Sequence, residues 1–148
     1  MFRHIAASCT LLLIITSTPI LFAETSKKPC TREDAIRAEG GAASLKTWRE
    51  VYQAYNEFGQ CDNGGIGEGY SESVARLLTD GWPTIGELNH LAAQNKGFKG
   101  FVLHHVDELM TPTQARQIEE NATERCPSAS GRLCKSIISR LHETPSEK

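Results

Sequence analysis

Residues 1–23 constrain the chain more than any other segment. Arg3 lies in a short basic start, Leu11-Leu12-Leu13-Ile14-Ile15 forms an apolar run, and the stretch closes on Pro19-Ile20-Leu21-Phe22-Ala23. That order is the pattern of a secretory signal peptide, with the cut expected after Ala23. Leu21 fits the small-x-small rule poorly, so export is better defined than the cut itself. The chain left behind, residues 24–148, is expected to work in a bacterial periplasm or outside the cell, where disulfides form. An uncleaved anchor is the other reading, but Thr16, Ser17, Thr18 and Pro19 interrupt the apolar run. A lipoprotein is disfavoured, because Cys9 precedes the apolar core and Cys30 follows Lys27-Lys28-Pro29. No stable membrane insertion is expected after cleavage.

Export turns the cysteines into a framework. Cys9 leaves with the signal, and Cys30, Cys61, Cys126 and Cys134 remain. An even number in an exported chain predicts two disulfides. Four cysteines allow three pairings; Cys30–Cys61 with Cys126–Cys134 is favoured because each bridge then joins neighbouring helices. A four-cysteine zinc site is the rival, but zinc ribbons use close C-x₂-C pairs and the chain has none.

The remaining 125 residues suit one domain, and such a chain can bury roughly two-thirds of its unfolded surface. Losing Arg3 and no acid moves the net charge from −2 to −3. That balance argues against nucleic acid, which calls for a basic footprint.

Apolar residues recur at helical spacing, and no stretch alternates with period two. The expected fold is therefore all-α: a compact bundle or short α-solenoid-like stack of six to seven short helices in one domain. Thr31-Arg32-Glu33-Asp34 opens the first helix and Gly40-Gly41 ends it. A second is expected from Ser44 to Phe58, on the stripe Leu45, Trp48, Val51, Tyr52 and Tyr55. The third carries Ile66, Tyr70, Val74, Leu77 and Leu78, although Gly64, Gly65, Gly67 and Gly69 crowd its first turns at about 1 kcal/mol each in a helix interior. We place its start near Gly64, with the glycines admitting another backbone.

Thr84-Ile85-Gly86-Glu87 predicts a capping box for the fourth helix, and Lys96-Gly97 a break after it. Phe98, Phe101, Val102, His105, Val106 and Leu109 form the next stripe. Thr111-Pro112-Thr113-Gln114 starts a sixth helix that Pro127 ends. A last helix carries Leu133, Cys134, Ile137, Ile138 and Leu141, and residues 144–148 read as a frayed tail. Residues 82–122 have the form of two stacked helical hairpins.

Charge is patterned in one place. No Lys or Arg lies between Arg49 and Arg76, while Glu50, Glu57, Asp62, Glu68 and Glu72 all do. One surface should then be negative, which steers encounter with a basic partner. The plain alternative is a solvated helix face. Glu57, Asp62, Glu68, Tyr70 and Glu72 are the candidate partner-binding residues. Tyr70 joins them because aromatics anchor interfaces, core packing being its alternative.

Chemical motifs are sparse. From Asp62, the third, fifth and twelfth residues are Gly64, Ile66 and Ser73, which do not make a calcium loop. His104 and His105 are adjacent, so on a helix they project about 100° apart and miss the two-histidine zinc spacing. His105 shares the apolar stripe and reads as a core-edge histidine. His104 and Glu108 are spaced to pair on the outer face. His90 is the one distant third ligand for a metal, and no metal or cofactor is expected. Nucleophile elbow, P-loop and dinucleotide fingerprints are absent from the sequence. Asn121-Ala122-Thr123 matches a glycosylation sequon in the middle of a helix.

Two blocks, Cys61-Asp62-Asn63-Gly64-Gly65-Ile66-Gly67-Glu68-Gly69-Tyr70-Ser71-Glu72-Ser73-Val74-Ala75-Arg76-Leu77-Leu78 and Phe101-Val102-Leu103-His104-His105-Val106-Asp107, resemble blocks that recur in small exported, mostly uncharacterised proteins of Gram-negative bacteria. They bring no catalytic assignment. In size, signal peptide, all-helical build and paired cysteines the chain also resembles the periplasmic immunity proteins that neutralise type VI secreted peptidoglycan amidases. That resemblance implies docking on a basic secreted toxin and blocking its cleft, and it places no residue. The expected function is noncatalytic periplasmic protein binding. The alternative is a small hydrolase or metal-dependent enzyme using His104, His105 and Asp107. A structural envelope protein with no defined site is the third reading.

Overall fold

Local capping chemistry sets where the helices begin. The computed structural model describes residues 28–143; the expected signal segment, its cut and the expected tail lie outside them. Seven helices follow in order: α1 (Arg32–Glu39), α2 (Trp48–Phe58), α3 (Gly64–Thr79), α4 (Ile85–Gln94), α5 (Lys96–His104), α6 (Pro112–Glu124) and α7 (Gly131–Glu143). Single 3₁₀ turns fall at Ala42–Ser44, Gly59–Cys61, Trp82–Thr84 and Ser128–Ser130. No strand occurs among the described residues. The all-α expectation and both favoured disulfides, Cys30–Cys61 and Cys126–Cys134, are present.

Several boundaries differ from those expected, each for a visible reason. α2 starts at Trp48 rather than Ser44, because Thr47 caps it and Glu50 returns a bond to the Thr47 amide. One of the five acids is thus committed to a helix start. Thr84 makes no capping box: its hydroxyl donates to the Gly81 carbonyl at 2.7 Å and closes the preceding turn. The break between α4 and α5 falls at Asn95, whose side chain caps Phe98. α5 stops at His104, so Leu109 leaves the predicted stripe and Glu108 is not on one helix with His104. Asp107 causes the departure, its carboxylate accepting from the Leu109 amide at 3.0 Å. The capping box of α6 at Thr111 and Gln114 forms as expected. In the expected pair of hairpins over 82–122, α4 does pair with α5, but α6 packs on α7 and α3.

α3 is the central helix. It packs against α1, α2, α6 and the Ala42–Ser44 turn, and buries Tyr70, Val74, Leu77 and Leu78. Gly64 begins it with φ +49°, a conformation that favours glycine. Gly69 admits the turn: a Cβ there would lie 2.9 Å from the Ala42 Cβ and 3.0 Å from the Ala43 nitrogen. One turn on, Ser73 donates to the Ala42 carbonyl at 2.7 Å and accepts from the Leu45 amide at 3.2 Å. The glycines expected to admit another backbone do so at Gly69. A run of rings, Tyr52, Tyr55, Phe98, Phe101 and Tyr70, joins α2 to α5 and α3, with neighbouring centroids 4.9–5.6 Å apart.

The bridges fasten the periphery. Cys30–Cys61 ties the approach to α1 to the turn before α3, and Cys126–Cys134 ties the segment after α6 to α7. Each contributes roughly 2–4 kcal/mol by restricting the unfolded chain. Beside the first bridge, Asp34 is held by Lys28 at 3.0 Å and Arg37 at 3.1 Å. Lys28 foremost, with Thr31 and Arg37, lowers the Asp34 carboxyl to about 2.

Two glycine substitutions should move stability in opposite directions. Gly69→Ala overpacks α3 against the turn and should cost about 1–3 kcal/mol despite better helix propensity. Gly100→Ala, in open space within α5, should add about 0.5–1 kcal/mol. Urea melts of both variants check this.

Candidate functional site

The site starts at the middle of α3. Glu68 and Glu72, one turn apart, are exposed, and Ser71 between them turns inward and is 2 % exposed. The segment that follows α5 crosses this face and carries Asp107, Leu109 and Met110. Glu68, Ser71, Glu72 and Ala75 of α3, Leu109 and Met110 of that segment, and Gln114 of α6 line a cleft of about 240 Å³. No Lys or Arg is among its lining residues. Leu109 is 55 % exposed, so an apolar side chain stands beside two carboxylates. Arg76 pairs with Glu72 at 3.8 Å through Nη1, while its Nη2 donates to the Ala43 and Leu45 carbonyls.

Ser71 anchors the crossing segment. Its hydroxyl donates to Asp107 Oδ2 at 2.6 Å and lies 3.0 Å from His105 Nδ1. A hydroxyl has one proton, and a carboxylate only accepts. With that proton directed to Asp107, the bond at Nδ1 must be donated by the imidazole. On the far side, Asp62 Oδ2 lies 3.2 Å from His105 Nε2, an ion-pair distance outside hydrogen-bond alignment. His105 is 2 % exposed and packs its ring on Phe101, with centroids 4.5 Å apart. Ser71 thus bonds both His105 and Asp107, and Asp62 approaches the other side of the imidazole without a hydrogen bond.

The predicted site residues separate. Glu68 and Glu72 share the cleft. Glu57 is at the end of α2, paired with Arg37 at 3.0 Å. Asp62 faces His105, its side chain 14 % exposed. Tyr70 is 1 % exposed and belongs to the core, which takes it out of any surface contact. Burial, then Asp62 and Glu57, raise its hydroxyl to about 12. His105 is packed, as its place on the apolar stripe suggests, while His104 is exposed. Among the described residues no group of three His, Cys, Asp or Glu side chains is placed to hold a metal ion. Asn121 of the sequon is 1 % exposed and donates to the Leu78 and Thr79 carbonyls at the end of α3.

Sequence reasoning missed Ser71 and Leu109. Ser71 is 34 residues from His105 and 36 from Asp107, so no local spacing joins them. Leu109 was masked by a helical period that the chain abandons after His104.

A serine, a histidine and an aspartate in contact invite comparison with a nucleophilic triad. There the base accepts the serine proton. Here Asp107 takes that bond, and both Ser71 and His105 are buried. The arrangement holds the 105–111 segment against α3. The chain matches no family model, no curated protein and no solved structure.

Removing the anchor should loosen that segment. Ser71→Ala leaves His105 Nδ1 and Asp107 without their partner and should cost about 1–3 kcal/mol. Hydrogen exchange should rise at residues 105–110 while α6 and α7 keep their protection.

Proposed function

We propose that this chain is a noncatalytic binding protein of the periplasm. Its acidic cleft receives a basic segment of a partner protein. The concrete form is immunity: the partner is a secreted cell-wall amidase whose active-site cleft is blocked. The reading rests on one observation, the pairing of exposed Glu68 and Glu72 with exposed Leu109 in a cleft lined by no cation. A lysine or arginine lays its aliphatic stem on an apolar side chain and its charge on a carboxylate. Complementary charge of this kind speeds encounter and selects the partner. The bonds that hold the crossing segment support the same reading, since a surface held by its own contacts loses less freedom on association.

The two disulfides support export, because such bridges persist in oxidising compartments. Among the described residues no helix is long and apolar enough to cross a membrane. A hydrolase using His104, His105 and Asp107 is the weaker reading, since Ser71, the serine against His105, is buried and bonded to Asp107.

The test uses the secreted peptidoglycan amidase encoded beside this chain, if one is present, and otherwise a panel of such amidases. The wild type should bind and inhibit one of them, with association slowing as salt is raised. Glu68→Lys with Glu72→Lys should slow association roughly tenfold or more at low salt. Inhibition that is indifferent to both substitutions, or no inhibition of any amidase, overturns the proposal.

A further inference from the structure

A second cleft carries the opposite charge. It lies where the start of α5 meets the start of α7, with α4 as its third wall. Its volume is about 400 Å³, within the range of small-molecule sites. Lys96, Lys99 and Arg132 line it together with Asn89, over a floor that includes Ala92 and Leu133. No acidic residue lines it. Ion pairs involving these three cations are absent among the described residues.

The walls are fixed. Lys99 is half-buried, and its ammonium donates to Ser136 Oγ of α7 at 2.9 Å. Asn89 donates to the Ala129 carbonyl at 3.2 Å, tying α4 to the turn that precedes α7. The cations therefore sit on two helices, α5 and α7, that are bonded to each other, with α4 tied to the turn before α7.

Their placement carries an energetic cost. Lys96 is the first residue of α5 and Arg132 the second of α7, and neither helix has an acid in its first turn. A helix N-terminus is positive, so a cation there is unfavourable and an acid is the stabilising choice. Three like charges around one cavity add mutual repulsion. A bound anion relieves both penalties. The larger cleft along α7, about 520 Å³, differs in this respect: it contains Glu143, which lies 3.8 Å from Arg140.

We propose that the α4–α5–α7 cleft is a binding site for an oxyanion headgroup, phosphate above all. Arg132 supplies the planar guanidinium that meets two phosphate oxygens at once, and Lys96 and Lys99 supply point charges. The apolar floor at Ala92 and Leu133 accommodates a short hydrocarbon portion attached to that headgroup. The site is independent of the acidic cleft and of the partner that cleft would take.

Titration of the ¹⁵N-labelled protein with inorganic phosphate, followed by ¹H–¹⁵N spectra at constant ionic strength, tests the site. Saturable shifts should cluster at the amides of residues 95–99 and 131–136. Lys96→Gln with Arg132→Gln should weaken binding roughly tenfold or more, two charge-assisted bonds being lost. The melting temperature of that variant should be unchanged or higher, which a structural role for the cations would not allow. A second arm uses phosphatidylcholine vesicles with and without phosphatidic acid. Recruitment by phosphatidic acid that the double variant loses assigns the headgroup to a lipid, and phosphate binding without recruitment assigns it to a free anion. No saturable response in either arm, or a double variant that responds like the wild type, overturns the proposal.

Discussion

One hydroxyl proton organises the functional face of this molecule. Ser71 gives it to Asp107, and the hydroxyl oxygen is left to accept from His105. Those two bonds hold the segment after α5 against α3. A buried histidine and a carboxylate separated by one residue would otherwise be costly, because unpaired polar groups inside a protein cost about 1–3 kcal/mol each. Ser71 bonds Nδ1 of the one and the carboxylate of the other. The position of Leu109 beside Glu68 and Glu72 follows from that anchorage, since Asp107 also turns the backbone at Leu109.

α3 is placed to serve as the platform. Gly69 and Ser73 seat it against the Ala42–Ser44 turn, Asn121 closes its far end, and the aromatic run fixes α5 beside it. Each contact is a small term, yet together they leave α3 little freedom to shift. Charge is then sorted by element. Acids collect on the exposed side of α3, and unpaired cations collect where α5 and α7 begin. A chain with a net charge of only −2 thus presents two clefts of opposite sign.

Much of the architecture was legible in the sequence. Thr31 and Thr111 announce their helices by cap chemistry that acts within four residues, and the disulfide pairing followed from helix order. The start of α3 at Gly64 was legible because Ile66 and Tyr70 stay in register despite the glycines. Errors arose where a local signal had two uses. Thr84 has the sequence of a capping box but spends its hydroxyl on the preceding turn, and Glu50 looked like surface charge but caps α2. Tyr70 could equally be anchor or core, and only the packing of α3 decides for the core. The Ser71 anchor was out of reach, because its partners lie more than thirty residues away. The cationic cleft was missed for the same reason, since Lys96 and Arg132 meet only through tertiary packing.

The protonation of one ring nitrogen separates a structural clip from an activated serine. Long-range ¹H–¹⁵N spectra of His105 read it directly, because a protonated and an unprotonated imidazole nitrogen resonate far apart. The geometry predicts a proton on Nδ1, donated to Ser71, with the signal moving when Ser71 is replaced by Ala. A bare Nδ1 accepting the Ser71 hydroxyl would contradict it, and would restore a nucleophile to the floor of the acidic cleft.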